Sequence, residues 1–273
     1  MLEAAAASEE GRAVASRYRL HLDRRRFRGH LGGQRGRGAG ASQEFLDFRD
    51  YTPGDDVRHI DWQGFARSEQ LRVRLFEAEV APHVDLVVDT SPSMVVTPRK
   101  AAAAHSLWLA LRQWAHSDGA RLRTLTLGGE QADEEPAWGS GPVAPAVPMA
   151  PLRRDGLRVL LTDGLWRESP TALLHTLAAG AAHFVCVQLL DPWELAPTIG
   201  DVVTLFDCET GERHERRLDR RTVAAYQERL QRLCDEVRTT VLATGGIYVR
   251  TVADSLATMC ERDLVPASVL EPA

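Results

Sequence analysis

The sequence predicts an α/β protein built on a doubly wound, mostly parallel sheet with an N-terminal charged subdomain. Three observations predict it. Short apolar runs rich in β-branched residues recur at positions 84–88, 157–162 and 183–190, and strands buried on both faces read as such continuous runs. Segments of helical period separate them, apolar on one face. Two of the runs end in polar turns, Asp89-Thr90-Ser91-Pro92-Ser93 and Thr162-Asp163-Gly164, as strands do where they hand over to a crossover.

In chain order, residues 1–17 are rich in Ala and Glu and predict a short helix or a frayed end. Residues 17–40 are basic and then glycine-rich, a loop with little to bury, so residues 1–40 are expected to be weakly ordered. The charged subdomain spans 41–80. It carries EFLDFRDYTPGDDVRHIDW at 44–62, with a turn at Pro53-Gly54, then a period-two strand in which Leu71, Val73 and Leu75 alternate with Arg72 and Arg74.

Residues 81–265 hold the α/β domain. The strand at 84–88 leads into a helix over 100–117, where Ala103, Leu107, Ala110, Leu111 and Trp114 share one face and Asp118-Gly119 ends it. A strand follows at 122–127, then a Pro-, Gly- and Ala-rich surface loop over 128–151. The strand at 157–162 precedes a helix over 171–182 and the strand at 183–190. Residues 201–206 and 212–218 flank Thr210-Gly211 and predict a small hairpin. A long helix over 219–242 carries the stripe Val223, Tyr226, Leu230, Leu233, Val237, Val241. A strand at 247–251 and a helix at 254–261 close the domain.

Bulk properties narrow the function classes. The net charge is -5, which gives a whole-chain polyanion binder no support. An arginine cluster (Arg17, Arg19, Arg24, Arg25, Arg26, Arg28, Arg35, Arg37) keeps nucleic acid as an alternative, with only Tyr18 and Phe27 to stack bases. No apolar run reaches the roughly 18 residues of a membrane helix, and the first residues lack a secretory pattern, so the expected location is cytoplasmic. Cys186, Cys208, Cys234 and Cys260 form no CxxC pair and read as buried reduced thiols. Phosphate-loop, dinucleotide, nucleophile-elbow and zincin motifs are all absent, so no enzyme is expected. An aspartyl nucleophile at Asp89 would want a placed lysine, and the only lysine, Lys100, lies on the following helix.

The chemistry concentrates in the two strand-end turns. Asp89-x-Ser91-x-Ser93 offers one carboxylate and two hydroxyls, and Asp163 offers a second carboxylate from another strand. Oxygen-only shells of this kind suit Mg²⁺, whereas thiols and imidazoles, which soft metals prefer, are missing from both turns. The alternative is a plain turn and helix N-cap before the helix of Lys100. The arrangement resembles the metal-ion-dependent adhesion site of von Willebrand factor A domains. That resemblance implies Ser91 and Ser93 as direct ligands, Asp89 and Asp163 as ligands directly or through water, and a partner's acidic side chain in the last position. The family's threonine from an intermediate loop has no counterpart in 128–151, where Ser140 is the only hydroxyl.

A second resemblance rests on a longer set of residues: Glu44-Phe45, Arg49-Asp50-Tyr51, Pro53-Gly54-Asp55-Asp56, Arg58, Ile60-Asp61-Trp62, Ala66-Arg67, Leu71, Val73, Glu77, Glu79 and Asp89 to Met94. Farther on, Asp191-Pro192-Trp193-Glu194 and Asp207-Cys208-Glu209-Thr210-Gly211-Glu212 belong to it too. Over roughly 17–264 the chain resembles the domain-of-unknown-function 58 family, von Willebrand factor A-like proteins found beside MoxR-type AAA+ ATPases. The resemblance implies a non-enzymatic adaptor that works with such an ATPase on an unknown protein client in maturing or remodelling complexes. Asp55, Asp56, Arg58, Asp61 and Trp62 read either as a clamp on the N-terminal segment or as a partner-docking face, bridged by arginine–carboxylate pairs. A metal-independent interaction scaffold is the remaining alternative.

Overall fold

The computed structural model describes residues 11, 13–21, 44–77, 83–129, 131–132, 134–142, 144, 146–200, 202–208 and 211–273. The chain divides into two compact units, one of residues 30–81 and one of residues 1–29 with 82–273. In chain order the strands and helices are β1 (Tyr18–Leu20), β2 (Glu44–Asp50), α1 (Trp62–Ser68), β3 (Arg72–Glu77), β4 (His83–Val88), α2 (Pro98–Ser117), β5 (Arg121–Thr126), β6 (Gln131–Ala132), β7 (Leu157–Thr162), α3 (Thr171–Ala178), β8 (His183–Leu190), α4 (Pro192–Leu195), β9 (Val202–Phe206), β10 (Arg213–Arg217), α5 (Arg220–Ala243), β11 (Ile247–Val252), α6 (Leu256–Met259) and β12 (Leu270–Pro272).

In the smaller unit β2 pairs antiparallel with β3, with a register shift between Phe45 and Asp47. Gly54 takes φ 106° in the connecting turn, a conformation that costs glycine little.

In the larger unit the described strands form a six-stranded sheet in the order β6-β5-β4-β7-β8-β11. All its pairings are parallel except β5 with β6. Side chains alternate between two cores. Val84, Leu86, Val88, Val159, Leu161, Val187 and Leu189 pack with α2 and α6 on one face. Val87, Leu125, Leu160, Phe184 and Cys186 pack with α3 and α5 on the other. Burial on both faces explains why these strands read as unbroken apolar runs.

Three expectations change. Residues 18–20 are strand rather than loop, paired with residues 270–272. Val14, Ala15 and Leu20 join the core, and the Trp114 indole donates to the Ala15 carbonyl at 2.8 Å. The larger unit therefore runs past residue 265. Next, α3 stops at Ala178, because Gly180 takes φ 70° and the buried Arg158 guanidinium donates to the Leu177 and Ala179 carbonyls. Finally, the 128–151 loop contributes the antiparallel edge β6 and half-buries Trp138 against the core. Among the described residues no helix is long and apolar enough to cross a membrane.

Candidate functional site at the sheet's switch point

Strands β4 and β5 progress to one side of the sheet and β7, β8 and β11 to the other, so the order reverses between β4 and β7. Ligands of open α/β sheets bind outside the strand carboxyl ends at this kind of point. Asp89 directly follows β4 and Asp163 directly follows β7. The topology thus places both predicted carboxylates at one crevice.

Asp89 is fully buried. One oxygen accepts from the Ser91 backbone N–H at 2.9 Å and the other from the Thr162 hydroxyl at 2.6 Å. Thr162 Oγ1 in turn accepts from Gly164 N at 2.9 Å, tying the two turns together. The Ser91 and Ser93 hydroxyls lie 3.0 Å apart, Ser91 buried and Ser93 half-buried. These residues do not cap α2, whose N-cap is Thr97: its hydroxyl accepts from Lys100 N at 3.0 Å.

The dominant feature is one that sequence reasoning did not assign. Lys100 is wholly buried, and its ammonium donates to Asp163 at 2.9 Å and to Glu194 at 2.8 Å. The other Asp163 oxygen accepts from Leu165 N at 3.1 Å. Glu194 is held by a capping box: Asp191 accepts from Trp193 N, and Glu194 accepts from Asp191 N. Asp191 also accepts from the Thr97 hydroxyl at 2.6 Å. The network joins the ends of β4, β7 and β8 to the first turn of α2. A signal for it was present: Lys100 lies three and seven residues before Ala103 and Leu107, on the apolar stripe of α2, and Asp191-x-x-Glu194 has capping-box spacing.

Charge within the cluster is unbalanced. Asp163 and Glu194 share one ammonium, and Asp89 neighbours Asp163 with only hydroxyl and backbone N–H partners of its own. Burial pulls the Lys100 amine down, but Asp163 and Glu194 outweigh it and hold it above its ordinary value. Burial raises Glu194, with Lys100 opposing. Burial and then the neighbouring Asp163 push the Asp89 carboxyl up to about 6.

The donor set is the one a small hard dication takes: two converging hydroxyls and two carboxylates, with uncompensated negative charge around them. Among the described residues no cluster of three His, Cys, Asp or Glu residues forms a metal nest, so the hydroxyls would have to contribute. The Ser140 hydroxyl, in the place of the missing threonine, donates to the Ala137 carbonyl at 2.6 Å. Its neighbour Gly141 approaches instead, donating to the Thr90 carbonyl at 2.8 Å, and a Cβ there would lie 2.7 Å from the Thr90 carbonyl carbon. Lys100 on Asp163 is the one discordant group.

The docking candidates of the smaller unit pair locally. Asp55 accepts from Arg49 at 2.5 Å and from Thr52 N, and the Arg49 contact holds its carboxyl down at about 2. Asp56 pairs with Arg58 at 2.7 Å and Asp61 with Arg74 at 2.9 Å. These ion pairs staple the unit's own turn and strand. Trp62 stays 57% exposed, edge-on to Phe65 at 6.4 Å. In the basic segment Arg19 pairs with Glu271, while residues 24–37 lie outside the described residues. Cys186, Cys234 and Cys260 are buried free thiols, whereas Cys208 is partly exposed, correcting the expectation for that residue.

A family model described as "Protein of unknown function DUF58" matches residues 47–146. Over that stretch the chain is similar to the DUF58 family. The DUF58 match takes in Asp55 to Trp62, Asp89, Ser91, Ser93 and Lys100, while Asp163 and Glu194 lie beyond it. Two mycobacterial relatives, Uncharacterized protein Mb1516 of Mycobacterium bovis and Uncharacterized protein Rv1480 of Mycobacterium tuberculosis, are each 30% identical over 210 residues. Those alignments cover 66% of this chain, and the chain spans 65% of the length of the curated relatives it matches. Among solved structures, the conserved hypothetical protein BatB from Bacteroides thetaiotaomicron is 16% identical with a TM-score of 0.37, covering 64% of this chain and 92% of that one. An aerotolerance-related membrane protein from Bacteroides fragilis is 18% identical with a TM-score of 0.36, covering 65% and 94%.

Proposed function

We propose that this protein is a non-enzymatic, cytoplasmic docking module of von Willebrand factor A-like fold, whose strand-end site receives an acidic side chain of a protein partner. In this reading it serves a MoxR-type AAA+ ATPase that matures or remodels a client complex. The observation that carries the proposal is the meeting of Asp89, Ser91 and Ser93 with Thr162 and Asp163 at the switch point, cross-linked by the bond from Thr162 to Asp89. Ser91, Ser93, Asp89 and Asp163 would hold Mg²⁺, which when bound offers a hard attachment point for a partner's carboxylate. The surroundings suit a protein interface. Val96 and Trp193 are exposed, and they flank the contact of Thr97 with Asp191. An aromatic and an aliphatic side chain beside a polar centre are the usual make-up of such patches.

The test is calorimetric titration with Mg²⁺, wild type beside Asp89→Ala, followed by capture of the ATPase in Mg²⁺ or chelator. Saturable binding that the variant loses, and a complex that chelator dissolves, are the expected results. A complex of equal strength in chelator would overturn the metal reading. It would favour a metal-independent scaffold, for which the exposed Trp62 and Phe65 are the observation in hand.

A further inference from the structure

Lys100 is the only lysine among 33 Lys and Arg residues, and it is one of the largest fully buried side chains. A solvated basic residue is readily arginine in this chain. The one ammonium is instead sealed at the end of the sheet, against a carboxylate that the proposed site needs. An ammonium is a compact point charge, which the larger planar guanidinium fork does not match in size or hydrogen-bond geometry.

The geometry points to Lys100 as a built-in competitor for the divalent cation, an internal cation that holds Asp163 until a metal displaces it. This inference rests on the adhesion-site reading above. Lys100 Nζ sits 2.9 Å from Asp163 Oδ2, so a dication sharing that carboxylate would face a second full charge at close range in a buried setting. Like charges there repel far more strongly than in water. Asp163 therefore serves one cation at a time. Glu194 gives the ammonium a second partner at 2.8 Å, and Tyr226 fixes the local backbone by donating to the Glu194 carbonyl at 2.8 Å. Binding is then coupled to release: metal lowers the hold on Lys100, and removing Lys100 raises metal affinity by the same linkage.

The single lysine makes the test direct. Acylation with an N-hydroxysuccinimide acetate, followed by peptide mass spectrometry, reads Lys100 in the wild-type chain with no mutation. Mn²⁺ binding, followed by electron paramagnetic resonance, gives affinities for wild type and for Lys100→Met. Lys100→Met/Glu194→Gln serves where the single variant fails to fold. We expect Lys100 to resist acylation without metal, to react at least tenfold faster in saturating Mg²⁺, and the lysine-free chain to bind Mn²⁺ at least tenfold more tightly. Rapid acylation without metal would overturn the inference. So would Mn²⁺ binding of equal strength in wild type and variant with unchanged acylation, and that result would leave the adhesion site standing. Absence of Mn²⁺ binding in wild type and in every folded variant would overturn both.

Discussion

At the scale of single residues, the site is a problem in buried charge. Asp89 is fully buried with its carboxyl raised to about 6, against about 3.9 for an unfolded aspartate. Between those values the folded state holds a proton that the unfolded state has released. The contribution to stability is therefore complete below about pH 4 and is lost as pH rises through about 6, an effect on the order of 3 kcal/mol. Denaturant unfolding of wild type and Asp89→Asn from pH 4 to 7, in chelator, should show the wild type losing stability relative to the variant as pH rises. A difference that stays flat with pH would refute it. Lys100→Ala strands Asp163 and Glu194 and should cost about 3–5 kcal/mol, the range for breaking a buried ion pair by removing one partner. Glu194→Gln in the same chain should recover part of that loss in the same unfolding measurement. Asp89, Ser91, Ser93 and Asp163 were legible because a polar turn after an apolar strand is visible in sequence. The capping-box spacing of Asp191-x-x-Glu194 was visible too, but the links of Glu194 to Lys100 and of Thr97 to Asp191 were not, because each spans 94 residues.

At the scale of elements, strands buried on both faces were legible almost residue for residue, since burial leaves them no polar alternation. Ends were less so. The helix expected over 171–182 stops four residues early because Gly180 turns left-handed and Arg158 takes up the last carbonyls. An arginine in an apolar strand gives no hint in sequence that it reaches the end of the helix packed on that face. Arg158→Met should leave those carbonyls and that of Arg153 short of donors, costing about 1–3 kcal/mol. Hydrogen exchange over 174–179 should quicken accordingly; unchanged protection would show that the backbone caps itself. β1 escaped sequence reading for another reason: its partner β12 lies some 250 positions away, and three residues carry no period.

At the scale of the molecule, the α/β class followed from the alternation of strands and helices, but the pairing of β1 with β12 had no local sign. That pairing buries Leu20, Val269 and Leu270. Removing residues 269–273 should cost roughly 3 kcal/mol or more at 1.5–3 kcal/mol for each aliphatic side chain. A melting temperature several degrees lower is the expected readout, and an unchanged melt would show the pairing to be ornamental to the larger unit. The two-unit division also separates the candidate chemistry: the acid–arginine pairs of residues 49–74 belong to one unit and the switch-point cluster to the other.

The β1–β12 pair also fixes how the protein faces its surroundings. Leu20, His21 and Val269 lie against Leu157, His183 and Ile247, the first residues of β7, β8 and β11. Asp89 and Asp163 stand past the last residues of β4 and β7, a strand length of roughly 20 Å away. A fluorophore, bead or surface linked at residue 273 would thus sit at the end of the larger unit's sheet opposite Asp89 and Asp163.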